Sequence, residues 1–138
     1  MNFVSIRVIT HDVARLVAFY EQVTAVSATW STPDFAELVT ASCTLAIASD
    51  RTVALFGGDS AQPAANRSVI TEFRVVDVDA EYRRLTSLAC EFVQQPTTMP
   101  WGNRSLLFRD PDGNLINFFT PVTADAVQRH DRQETAAH

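Results

Sequence analysis

The chain is poor in the residues that carry hard chemistry or cross a membrane. It has three histidines, at positions 11, 130 and 138, and two cysteines, Cys43 and Cys90. Two cysteines in apolar stretches, with no histidine near them, read as buried free thiols in a reducing cytoplasm. They suit neither a disulfide framework nor a thiol nucleophile. No apolar run approaches the roughly 20 residues of a membrane span, so no membrane partner is expected. The opening Met1, Asn2, Phe3 and Val4 lack the basic start and long apolar region of a signal peptide, and a cytoplasmic location is the expectation. Basic charge is short as well. Eleven Lys and Arg against 16 Asp and Glu leave a net charge of −5, which argues against a nucleic-acid partner because phosphate binding needs a basic face.

What is there is ordinary globular material. A chain of 138 residues, 46% apolar and 20% charged, suits one compact domain. Residues 3–9 alternate as a strand does, with Val4, Ile6 and Val8 on one face and Ser5, Arg7 and Ile9 on the other. Asp12 is a good N-cap, and Val13, Leu16, Val17 and Tyr20 recur at helical spacing through residue 23. His11 beside Asp12 has the composition of a general base with an orienting carboxylate. The simpler reading is a capped helix start next to an exposed histidine. Strands are expected at 37–40, 43–48 and 52–56, and the Gly, Ser, Pro and Asn of 57–66 read as a linker.

The pattern then restarts. A shift of 65 positions carries Val4, Ile6 and Val8 onto Val69, Thr71 and Phe73, Asp12 onto Asp77, Val13 onto Val78, and Tyr20 onto Leu85. A strand at 91–94 follows. Then come Ser105, Leu106, Leu107 and Phe108, the breaker Asp110-Pro111-Asp112-Gly113-Asn114, and an apolar return from Leu115 to Thr120. Proline presets the second position of a type I turn, Asp110 can accept from following amides, and Gly113 tolerates positive φ, so this stretch is a hairpin. Residues 123–138 are polar, charged and without periodicity, which reads as a mobile tail carrying His130 and His138.

Pro100-Trp101-Gly102 leading into F-R-D-P-D-G-N and an apolar strand resembles the last third of the vicinal oxygen chelate superfamily. That group contains glyoxalase I, extradiol dioxygenases, fosfomycin-modifying enzymes and bleomycin-resistance proteins, and the lead-in is most similar to the bleomycin-resistance branch. With the repeat, the resemblance runs from Phe3 to Pro121. It implies an α+β fold of two tandem βαβββ modules forming a curved sheet with helices outside, paired as a homodimer. One domain would span 1–122, with module 1 at about 1–58 and module 2 at about 67–122.

The resemblance also implies where metal ligands would stand: the first and last strands of each module. Those positions hold Ser5, Ile70 and Asn117, the last where metal-dependent relatives carry a glutamate in G-N-x-I-E. The stretch 52–58 has no Asp, Glu or His. Hydroxyl, alkyl and neutral amide are weak donors for a divalent cation, so no metal and no cofactor are expected. By parity the face away from the helices would carry Ser5, Arg7, Ile70, Glu72, Asn117 and Phe119, a mixture of apolar wall and polar groups typical of small-molecule sites. In the simplest structural account Arg7 and Glu72 pair with each other. Trp101, set on a loop between proline and glycine, is the strongest ligand contact, and Trp30 in the polar run Thr29–Asp34 is a second aromatic outside the core. The leading expectation is a metal-free protein that binds a planar or aromatic, antibiotic-like small molecule. The alternatives are a metal-free lyase, isomerase or dioxygenase with Glu72 as base, and a regulatory domain without a ligand.

Overall fold

The computed structural model describes residues 1–136. The chain forms two compact units: Met1–Arg67 with the turn Asp110–Gly113, and Ser68–Arg109 with the described residues from Asn114 onward. Each unit carries a four-stranded sheet with its own helix, the α+β repeat that the sequence implies.

In the first unit, β1 (Ser5–Thr10) leads through Asp12 into α1 (Val13–Thr24). The Asp12 carboxylate accepts from the Arg15 amide at 3.0 Å, satisfying one of the helix's orphan donors. Val13, Leu16, Val17, Tyr20 and Val23 form the buried stripe of α1, which packs on β3 and β4. Then follow β2 (Thr29–Thr32), β3 (Phe35–Val39) and β4 (Thr44–Ser49), in the order β1-β4-β3-β2. β1 and β4 are parallel, which is possible because α1 carries the chain across the sheet. Beneath α1, Ala36 and Ile47 are fully buried and Leu38 is nearly so.

The second unit repeats this plan: β5 (Ile70–Arg74), α3 (Val78–Leu85), β6 (Glu91–Thr98), β7 (Asn103–Arg109) and β8 (Leu115–Pro121), in the order β5-β8-β7-β6 with β5 and β8 parallel. The 65-residue shift holds at the level of a single hydrogen bond. Asp77 caps α3 by accepting from the Ala80 amide at 3.1 Å, as Asp12 does from Arg15. A chain of edge-to-face rings fills this core, Phe73 on Phe118 and Phe118 on Phe108, with centroids 5.6 and 5.0 Å apart. The hairpin turn is as expected: the Gly113 amide donates to the Asp110 carbonyl, Asp112 N–H donates to the Asp110 carboxylate, and Gly113 has φ +83°.

Four expectations are corrected. The strand placed at 52–56 does not form. Asp50–Val53 is a short helix, α2, whose Thr52 hydroxyl bonds back to the Ser49 carbonyl, and turns without helix or strand fill 54–69. The missing strand is instead β2, an edge strand exposed along its length, so it shows no alternation to read. The segment taken as a polar tail forms α4 (Ala124–Ala136), started by the Thr123 hydroxyl accepting from the Ala126 amide; His138 lies outside the described residues. Cys43 and Cys90 are free but half-buried rather than buried. No described helix is long and apolar enough to cross a membrane.

One buried polar contact anchors the first unit. The Tyr20 hydroxyl donates to the Asp110 carboxylate at 2.8 Å, with both residues buried. Burial, and then the charge and hydrogen bond of Asp110, push the Tyr20 phenol well above its ordinary 10.0. The folded protein thus keeps a proton that the unfolded chain releases near pH 10, so the stabilisation is whole below that pH and lost as pH rises beyond it. Tyr20→Phe should lower unfolding free energy at pH 7 by about 1.5–3 kcal/mol, as for a hydrogen bond to a charged group, measured by urea titration. The variant should also lose part of the wild-type fall in stability above pH 10.

Candidate functional site

Strand pairing sorts each sheet into two faces. In the first unit Val8, Ile47, Ala36 and Trp30 form one row across the sheet, and two of its members lie fully buried under α1. The neighbouring row, Arg7, Ala46, Glu37 and Thr29, is on the opposite face, since successive strand residues alternate. Ser5 and Thr44 lie in the row to one side of Arg7, and Ile9, Ala48 and Phe35 in the row to the other. Ala46 and Ala48 give this face a low floor. Over it the Arg7 guanidinium is sandwiched, 5.2 Å from the Phe35 ring centre and 5.5 Å from that of Phe56. Phe56 sits on the turn after α2 and is largely exposed, so it is a rim residue and not core. Trp30 is exposed as expected, but it belongs to the α1 side of the sheet, away from Ser5 and Arg7.

In the second unit the open face carries three rows: Ile70, Leu115 and Arg109; Glu72, Asn117 and Leu107; Arg74, Phe119 and Ser105. Ile70, Glu72, Asn117 and Phe119, named from the sequence, are thereby brought together. The Asn117 side-chain oxygen is buried and has no hydrogen-bond partner among the described residues. A buried acceptor left unpaired costs about 1–3 kcal/mol.

α4 lies against the third row. The His130 ring packs against Phe119, tilted by 42° with centroids 5.0 Å apart, and meets the Asn103 amide nitrogen at 3.4 Å. Arg74 donates to Glu134 at 2.6 Å and to Asp131 at 3.2 Å. Trp101 sits in the turn closed by the Gly102 amide on the Met99 carbonyl. Its ring is half-exposed, and its own carbonyl accepts from Arg129 at 3.0 Å.

The last strand of the first unit is β4 and not 52–58, and its residue paired with Arg7 is Ala46, as Asn117 is paired with Glu72. The register positions therefore hold Ser5 and Ala46 in the first unit and Ile70 and Asn117 in the second, and neither pair offers a strong donor to a divalent cation. Among the described residues no group of three or more His, Cys, Asp or Glu could hold a metal ion.

The family model for the glyoxalase/bleomycin resistance protein/dioxygenase superfamily matches residues 2–118. The chain belongs to this superfamily. A relative, the uncharacterized protein YraH of Bacillus subtilis (strain 168), is 26% identical over 125 residues, 86% of this chain and 98% of YraH. Two solved structures share the fold. A glyoxalase/bleomycin resistance protein/dioxygenase from Nocardioides has a TM-score of 0.75 at 22% identity, covering 90% of this chain and 85% of that one. A family enzyme from Burkholderia phytofirmans PsJN has 0.76 at 18% identity, covering 86% and 97%.

Within this superfamily fold the remaining reactive residues fall into place. His11 is exposed, and its Nδ1 meets the Asp50 carboxylate at 2.5 Å, so its partner is Asp50 while Asp12 is occupied as a cap. Burial pushes the Cys90 thiol up, opposite to the shift a nucleophile needs. The residues sequence reasoning missed are Phe35, Phe56, Asn103 and His130. His130 was readable in principle: Thr123 before a run of Ala, Gln, Arg and Glu is an N-cap before good helix formers. Asn117→Leu should remove the unpaired buried oxygen and raise unfolding free energy by about 1 kcal/mol. A denaturant midpoint that falls instead would show that the amide has a partner in solution.

Proposed function

We propose that this protein is a small-molecule binding member of the superfamily that works without a metal centre. Its ligand is planar or aromatic, of the antibiotic-like kind expected from the bleomycin-resistance resemblance, and the working unit is a cytoplasmic homodimer. The observation that carries the reading is Asn117: a neutral amide whose buried oxygen has no partner among the described residues, where metal-dependent relatives place a carboxylate. An amide there gives up cation binding and keeps the ability to accept a hydrogen bond from a ligand. The surroundings suit that task, with Phe119 and Leu115 as apolar wall and Glu72 and Arg74 as polar groups at the rows' ends. In the first unit, Arg7 between Phe35 and Phe56 offers a second surface of the same character. Exposed Phe3, Val4, Val69 and Ile70 favour pairing of two chains, since apolar surface of this kind usually marks an interface.

Native mass spectrometry of freshly purified protein tests the reading in one measurement. A mass of twice the chain, well below one equivalent of metal per chain, and a co-purified or screened organic ligand are expected. Near one equivalent of Zn, Ni, Mn or Fe would overturn the metal-free reading, and a monomer at tens of micromolar would overturn the pairing.

Trp101 is the residue to probe next, because a half-exposed ring on a short turn can stack without the ordering cost of a flexible side chain. Stacking of this kind contributes about 1–3 kcal/mol, so Trp101→Ala should weaken ligand binding roughly five- to a hundredfold with little change in melting temperature. Unchanged affinity with a large melting loss would make Trp101 a structural residue.

A further inference from the structure

α4 is built unlike a packing helix. Ala126, His130 and Glu134 follow one another at spacings of four and so lie on one stripe, and Ala126 is the helix's one buried residue. A helix that merely closes a core presents leucines or valines on such a stripe. This one presents an imidazole to Phe119 and a carboxylate to Arg74, with Asp131 adding a second carboxylate. The helix also lies outside the shared family core, which ends at residue 118 while α4 begins at Ala124.

What α4 offers the sheet is a tilted aromatic ring against Phe119 and an anionic group on Arg74. On the other side of Phe119 from Arg74, within reach of the imidazole, lies Asn103, which is 8% exposed and whose side-chain oxygen has no partner among the described residues. We propose that α4 is an internal stand-in for the ligand, and that the ligand which displaces it is a planar aromatic carboxylate. Resting on the small-molecule reading above, this assigns the anchor of that site: Arg74 takes the carboxylate, Phe119 takes the ring, and Asn103 Oδ1 accepts from a ring donor if the ligand has one. The helix is suited to leave. Its ion pairs are exposed on the carboxylate side, where such pairs hold weakly, and a lone helix of 13 residues is marginal in water. Its entry is fixed, because the Val122 and Thr123 amides both donate to the Gly102 carbonyl, so displacement would swing α4 about Thr123.

The test uses the full chain, with 2-naphthoate as probe and 2-naphthamide as its neutral counterpart, binding measured by calorimetry. Wild type, Asp131→Asn/Glu134→Gln, Arg74→Gln and Arg74→Lys are compared after circular dichroism has shown each to be folded. We expect wild type to prefer naphthoate. The doubly neutralised helix should bind naphthoate about five- to thirtyfold tighter, since two exposed charge contacts no longer compete. Arg74→Gln should erase the preference for naphthoate and Arg74→Lys should keep it. Amides of α4 should exchange with deuterium faster when naphthoate is bound. If both probes bind equally well and neither the helix variant nor α4 exchange responds, the stand-in idea is wrong while the binding reading survives. If neither probe binds any of the four proteins, and ligand screening of the wild type is also empty, both fall together.

Discussion

The parallel pairing of first and last strands in each unit is the constraint on which the rest depends. Two parallel neighbours cannot be joined by a tight turn, so a helix must carry the chain across the sheet and cover one of its faces. That single requirement fixes which side of β1 and β5 is core. It sets Arg7 beside Ala46 and Glu72 beside Asn117, and it leaves the rows containing Ser5 and Ile70 on the uncovered side. The capping aspartates Asp12 and Asp77 belong to the same device, because the crossover helix must begin immediately after the strand ends.

On a face exposed by construction, function is decided by what stands at a few register positions. The register positions named above hold a hydroxyl and a methyl in the first unit, and an alkyl chain and an amide in the second. What stands nearby is Arg7 over the rings of Phe35 and Phe56 in the first unit, and the buried Asn117 amide beside Glu72 in the second.

α4 changes how the second sheet should be viewed. A sheet face that is open in strand order is partly occupied by a polar helix that donates its own ring and carboxylates. These contacts keep Phe119 away from water, at 7% exposure.

The sequence by itself determined whatever depends on local chemistry or on periodicity. The alternation of residues 3–9, the two aspartate caps, the 65-residue repeat and the Asp110–Gly113 turn were all legible, because each is set by neighbours a few positions away. So was the grouping of Ile70, Glu72, Asn117 and Phe119, which follows from parity once two strands are parallel. Tertiary structure alone decided the rest. Thr29–Thr32 became a strand because β3 offered an edge, and residues 52–56, whose composition favours a strand, became the end of the short helix α2 and the turn after it. Trp30 fell on the α1 side through its pairing with Ala36, which no local pattern specifies. α4 owes its place to Arg74 and Phe119, some 57 and 11 residues away from Asp131 and His130. A polar stripe carries no hydrophobic signal; its partners exist only after the sheet has formed.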